Sequence, residues 1–407
     1  MVTRPTIVVL SLVLATSAAG QESAALDPGG MMCPIMSSTP RIRMSVPVEQ
    51  LRAAALRDSN DAAAHYELGL GYFSRNCLNQ AERSFRTAIA IEPRFPAAYV
   101  ALAFLPYARQ PSLWSRPPIG ATSEGVDRTL EESFRLRRHA VLLDPLVDLR
   151  VMNAVLPPVI TYTRTPRETA IVVGIRMVMD GNYQLSLTRF ADYLKENARA
   201  RTPEQPPNAF FYFRGMARAQ LGQLDSAIVD FDQLLAFSLS QEQSDSASLQ
   251  LVSGSNQYRH ILATLLLKAG NLDRAEREFR EAVEADLGLF IAHVHLAQIH
   301  ERRGNWDLAL EERRRALETN PEDASLLIDL GITFFKAGRL AGADSALASA
   351  EQLLPRNYRV AYYQGLVAMQ QNEPPRARAA FRRFLVLVPS RFGAQAQEVQ
   401  RLLSQLP

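Results

Sequence analysis

The residues that could do chemistry are few, and every grouping lacks a member. His300-Glu301 opens the H-E-x-x-H pattern that holds zinc between two histidines one helical turn apart, but position 304 is Gly and the second ligand is missing. His293 and His300 share a helix face, yet the helical rise separates them by about 10 Å, too far for one metal without other ligands. Both sit where a packing residue is expected. Met31-Met32-Cys33-Pro34-Ile35-Met36 gathers soft sulfur donors of the kind copper prefers, without any histidine. Gly69-Leu70-Gly71 begins a phosphate-loop glycine pattern but lies inside a helical stretch, and no G-x-S-x-G nucleophile elbow occurs. These fragments predict no catalytic residue, no metal and no cofactor.

The ends of the chain and its cysteines bear on compartment. Arg4, an apolar run from Ile7 to Leu14 and the small residues Ser17-Ala18-Ala19-Gly20 have the order of a secretory signal peptide over residues 1–20. The run is shorter than the ~20 apolar residues a bilayer span needs, and no later segment is long and apolar enough. The mature chain is therefore expected to be exported, periplasmic or secreted from a bacterium, with no transmembrane segment. In an oxidising compartment the two cysteines, Cys33 and Cys77, are candidates for a disulfide tying the arm 21–46 to the folded region. The chain-entropy model gives closing such a loop roughly 4 kcal/mol. Unpaired thiols and the copper reading of the Met-Cys cluster are the alternatives.

Charge gives little direction. The chain has 45 Lys+Arg against 42 Asp+Glu, a net charge of +3, and only three of the basic residues, Lys195, Lys268 and Lys336, are lysines. Arg313–Arg315 and Arg376, Arg378, Arg382 and Arg383 lie beside carboxylates, which predicts solvated helix faces and no nucleic-acid partner.

What positions all of these residues is a repeat. Over 256–391 the sequence keeps step with itself every 34 residues. Ala275, Ala309, Ala343 and Ala377 form one column; Gly270, Gly304, Gly338 and Asn372 form a second; Leu287, Pro321, Pro355 and Pro389 form a third. Repetition at this length implies stacked units of one supersecondary motif. Further upstream, Leu68-Gly69, Tyr72, Ala81, Phe85, Ala88 and Pro93 follow L-G-x-x-Y…A-x-x-x-F…P, with Asn76 at the turn where the left-handed conformation is needed. Pro106 to Asp127 then breaks the period, and Pro157-Pro158 with the β-favouring Val159–Thr163 breaks it again. The tail carries the stripe Val399, Leu402, Leu403, Leu406, suited to a lid over the last unit.

The period and these residue types resemble the tetratricopeptide repeat. The resemblance implies an all-α, right-handed superhelical solenoid of helix–turn–helix units over 47–407. One irregular insertion at about 104–166 and a capping helix at 392–407 complete it. It also implies that the first helix of each unit lines a concave groove where a protein or peptide partner docks. In this register the groove holds Tyr212, Met216, His260, Lys268, Gln298, Arg302, Phe335, Tyr362 and Met369. The expected function is that of an exported, non-enzymatic scaffold for protein–protein interaction, in cell-envelope assembly or secretion. Two alternatives stand beside it. A tight superhelix could bury the same row against itself. The insertion, with Trp114 and Tyr162, could form a pocket for a glycan or small molecule, or an enzyme site.

Overall fold

The computed structural model describes residues 25–26, 32–33, 42, 44–111, 113, 124–155, 165–244 and 254–407. The leader 1–20, most of the arm, Trp114, Tyr162 and the Val159–Thr163 run lie outside them. Nineteen α-helices make up nearly all of the described chain, and its only strands are a two-residue antiparallel pair, Ala25–Leu26 with Met32–Cys33.

Each repeat is a helical hairpin whose geometry follows from three columns of the sequence. The turn column takes the left-handed conformation: φ is +84° at Gly270, +74° at Gly304 and +72° at Gly338, and +60° and +59° at Asn76 and Asn372. A side chain is strained there, so glycine is preferred and asparagine tolerated. The alanine column, Ala275, Ala309, Ala343 and Ala377, has no exposed surface, because the two helices of each hairpin cross there. The third column pairs a small residue on the first helix, Gly or, in α11 and α13, Ala263 and Ala297, with a large residue sixteen positions later on the second. A Cβ on Gly174 would sit 2.9 Å from the Phe190 ring and one on Gly331 2.8 Å from Leu347; Gly69 with Phe85 and Gly365 with Phe381 are closer still. These rings are fully buried, so the absent side chain is what lets the backbones approach.

Two arms and a bend follow. The N-terminal arm has α1 (Val48–Arg57), the hairpin α2 (Ala62–Ser74) and α3 (Leu78–Ile91), then α4 (Pro96–Arg109) against α5 (Glu124–Leu143) and the short α6 (Arg150–Val155). The bend has α7 (Pro166–Met179) to α10 (Leu224–Ser244). The C-terminal arm runs from α11 (Ser255–Ala269) through α12 (Leu272–Ala285), α13 (Phe290–Arg302), α14 (Trp306–Thr319), α15 (Ala324–Lys336) and α16 (Leu340–Leu353) to α17 (Tyr358–Gln370) and α18 (Pro374–Leu387). The helix α19 (Gly393–Gln405) closes the last hairpin with Val399 buried and Leu402, Leu403 and Leu406 half-buried. Cys77, at the head of α3, is disulfide-bonded; no described cysteine is free, and Cys33 is the other cysteine of the chain.

Candidate functional site: a polar centre between the arms

One repeat breaks the packing rule. The large-residue column reads Phe279, Arg313, Leu347, Phe381, so α14 carries a guanidinium where its neighbours carry a core side chain. The expectation that Arg313 belongs to a solvated face is corrected here: only 6% of its side chain is exposed. The slot faces inward by register, whatever residue fills it, so the arginine is carried into the interior with it.

Burying a guanidinium costs several kcal/mol unless charges and hydrogen bonds surround it. Three other columns supply them. Glu301 stands where Leu267 and Phe335 stand in adjacent repeats, Thr333 where Ile299 and Val367 stand, and Asp329 where His295 and Tyr363 stand. Arg313 donates from Nη2 to Glu301 at 2.8 Å and from Nε to Thr333 Oγ1 at 3.2 Å; its Nη1 lies 3.6 Å from Asp329. Thr333 donates to Glu301 at 2.7 Å, and Lys336 Nζ at 2.9 Å. Burial would raise the Asp329 carboxyl, but the guanidinium groups of Arg313, Arg94 and Arg359 outweigh it and hold it at about 2. Glu301 is likewise below its ordinary value, with burial outweighed by Arg313, Thr333 and Lys336. Four departures from the repeat pattern thus converge on one ionised cluster.

The cluster is completed from the other arm. Arg94, in the turn between α3 and α4, donates from Nε to Asp323 at 2.8 Å and from Nη1 to Asp329 at 2.6 Å. Arg359 reaches the other Asp329 oxygen at 3.2 Å. Nearby, His260 on α11 and His295 on α13 have ring centroids 5.7 Å apart. Burial holds both neutral, at about 4 and about 3, with the neighbouring His260 a further cause at His295.

Arg94 belongs to a longer seam in which the arms meet in antiparallel order. Arg138 pairs with Asp286 at 2.6 Å; Arg94 follows with Asp323 and Asp329. Asn60 donates to the Arg356 and Leu387 carbonyls at 2.9 and 2.8 Å. Ser390 donates to Asp58 at 2.6 Å, and Arg391 pairs with Asp61 at 3.1 Å. Two turns of the N-terminal arm and the α5 residue Arg138 therefore rest on inter-repeat turns of the C-terminal arm. Towards the bend the seam becomes apolar: Val141, Leu142 and Leu143 of α5 pack on the core of α7–α13, and His260 donates to the Leu142 carbonyl at 2.9 Å.

This closure divides the predicted groove. Met216 and His260 are buried, 3% and 0% exposed, and present no face on which a protein partner could dock. Tyr212 is half-buried against Phe231 and Tyr258, its hydroxyl pushed up to about 12 by burial. Gln298 is half-buried beside His295; Tyr362 and Met369 are half-buried beneath α19. Phe335 lies 5.8 Å from Tyr363, centroid to centroid, and is half-buried. Lys268 and Arg302 are exposed. The self-packed alternative describes the middle of the row, and the open one describes its edge. The polar centre was missed because Arg313 was read along its helix, beside Arg314 and Arg315. The same 34-residue columns that located the turns contain the signal.

Residues 262–324, 295–344 and 328–392 each match the tetratricopeptide-repeat family. These blocks are tetratricopeptide repeats. A segment of 123 residues is 32% identical to the type IV pilus assembly protein PilF of Pseudomonas aeruginosa, covering 30% of this chain and 49% of that relative, so the match spans about half its length. Among solved structures, the chain is similar to a tetratricopeptide repeat protein from Parabacteroides merdae, at TM-score 0.39 and 15% identity over 84% of this chain and 97% of that one. It is also similar to the C-terminal part of a TPR repeat-containing protein from Cytophaga hutchinsonii, at TM-score 0.44 and 15% identity over 56% and 83%. A third similar structure is MamA, at TM-score 0.36 and 17% identity over 44% and 96%.

Proposed function

We propose that the chain is an exported scaffold for protein–protein interaction in a bacterial cell envelope, and that its partner lies along the exposed edge of the C-terminal arm. The observation that carries this reading is a ladder at the last turn of successive first helices. Lys268, Arg302 and Lys336 recur at the 34-residue step, each exposed, with Phe335 half-exposed beside them. A regular row of cations flanked by an apolar side chain fits an extended segment bearing carboxylates and apolar residues. Export is supported by the leader pattern and by the disulfide at Cys77; an envelope role is supported by the similarity to a pilus assembly protein over part of its length. No described helix is long and apolar enough to cross a membrane.

The test is crosslinking capture in cells with the tagged mature chain beside the Lys268→Glu, Arg302→Glu double variant, which leaves the Lys336–Glu301 pair intact, after circular dichroism shows equal helicity. A protein recovered by the wild type and lost by the variant supports the ladder. The same set from both chains rejects it.

One observation favours a second reading, in which a small molecule is bound. A cleft of about 320 Å³ lies between residues 146–150, at the end of the irregular region, and α7 to α9. Leu146, Val178 and Met216 give it an apolar floor, and Asp148, Asp180 and Tyr183 polar edges. A Met216→Trp variant that loses a ligand copurifying with the wild type would favour that reading.

A further inference from the structure

Arg313, Glu301, Asp329 and Thr333, spread over the adjoining hairpins α13–α14 and α15–α16, bring charge into slots that neighbouring repeats fill mostly with apolar side chains, and they need a reason, because hydrophobic residues of the same volume would serve stability as well or better. Packing within the C-terminal arm gives none: Phe279, Leu347 and Phe381 fill the same slot in the neighbouring repeats. What distinguishes these hairpins is their place on the seam, where Arg94 of the other arm enters between Asp323 and Asp329. Arg313 holds Glu301 and lies beside Asp329, one of the two carboxylates that receive Arg94.

The remainder of the seam is graded. Near the bend it is apolar and continuous with the core of α7–α13. Towards the tips it consists of Asp58, Asn60 and Asp61 against Arg356, Ser390 and Arg391, whose hydrogen bonds are mostly at exposed positions. Exposed ion pairs and hydrogen bonds contribute little and weaken with salt, whereas the Arg94 pairs have side chains only 10–17% exposed. A small cleft of about 60 Å³ already lies along the tips, lined by Ile91 and Arg94 of one arm and Ile328 and Asn357 of the other.

We propose that the two arms form a jaw, closed by a latch in which Arg94 seats between Asp323 and Asp329 over Arg313, and opening at the tips about the apolar root formed by α5 and α11. Closure is thus encoded by particular residues. Opening uncovers the inward edges of α15 and α17 without breaking their hairpins, because the apolar clusters of α15–α18 contain no residue of the N-terminal arm. The mechanism does not depend on the identity of any partner.

The test measures the tip separation directly. Nitroxide labels are placed through Ala90→Cys on α3 and Ala379→Cys on α18, both exposed and away from the latch, and the distance distribution is read by pulsed electron resonance in the full mature chain. The closed jaw gives one narrow distance that broadens towards longer values as salt is raised. Arg94→Ala should lengthen the mean by on the order of 10 Å, one layer of packed helix, with unchanged helicity by circular dichroism. Restoring charge in the opposite sense, with Arg94→Asp and Asp323→Arg together, should return the short distance. An Arg94→Ala distribution that superimposes on the wild type at low salt would overturn the latch, since the arms would then be held by the root alone.

Discussion

The C-terminal and N-terminal arms are built from the same hairpin, yet they differ in what fixes them. In the C-terminal arm every hairpin follows its predecessor at 34 residues, with the same buried alanine and the same left-handed turn, so each unit is positioned by its neighbour alone. The N-terminal arm has one such hairpin, α2 and α3, followed by α4 and α5 joined through residues 110–123. Its position is fixed by contacts 148 to 332 residues away in sequence, at Arg138, Arg94, Asn60 and Asp58. Repetition specifies shape unit by unit, and closure needs departures from repetition. Arg313, Glu301, Asp329 and Thr333 are those departures.

The largest expected break in this comparison is Arg313→Ala. It leaves Asp329 to Arg94 and Arg359 and Glu301 to Thr333 and Lys336, and a loss of about 3 kcal/mol, the low end for breaking a buried pair, is expected in urea unfolding of the purified chain. Arg313→Leu, which returns the column to its neighbours' pattern, should cost as much alone. Combined with Glu301→Leu and Thr333→Ile, it should recover most of the stability while the labelled tips stay apart. A result in which the triple variant is both stable and closed would separate the polar centre from the seam.

Next in size is acid. His260 and His295 are held neutral in the fold at about 4 and about 3, below the ordinary 6.5. Their folded values are lowered, so the unfolded chain binds protons first as pH falls. The stability of the root is complete above about pH 6.5 and declines towards pH 4, by about 2 kcal/mol per histidine at pH 5. Thermal melts of the wild type and His260→Gln between pH 7.5 and 5 check this, the variant showing the shallower dependence. Below that range the latch itself weakens. The Asp329 carboxyl is depressed to about 2, so its contribution persists above about pH 4 and is lost as pH falls through 2.

Smaller is the turn. Gly304→Ala places a Cβ at φ +74° with nothing within 4 Å, so the cost is backbone strain, roughly 1 kcal/mol in a denaturation midpoint. Asn372→Gly at the equivalent turn should gain a few tenths of a kcal/mol. Smallest is Arg401→Ala on α19, whose pair with Glu398 is on an exposed helix face, so the denaturation midpoint should not move measurably.

The hairpins were legible because their determinants are local and repeated: Gly270 and Ala275 recur together at Gly304 and Ala309 and at Gly338 and Ala343, and each residue's role follows from its place in the period. Asn76 was read correctly for the same reason. The closure was not legible, since no period connects Arg94 to Asp323. Met216 and His260 were placed in an open groove by a register that is right about direction. What faces the axis is covered when α5 lies across it, and the sequence of α11 alone does not say so. Arg313 lay between: its column marked it as inward, while its neighbours Arg314 and Arg315 suggested the surface.

A solenoid with free ends tolerates the gain or loss of a unit, since only the junction must be remade. Here the turns at 58–61 and 94 and Arg138 of α5 meet the turns at 390, 323 and 286 in order, as teeth meet in a gear. Removing one hairpin from the bend would advance one row of teeth past the other by a whole unit and present Arg94 to the wrong turn. The number of repeats in this chain is therefore a fixed integer, set by the need for its two ends to mesh.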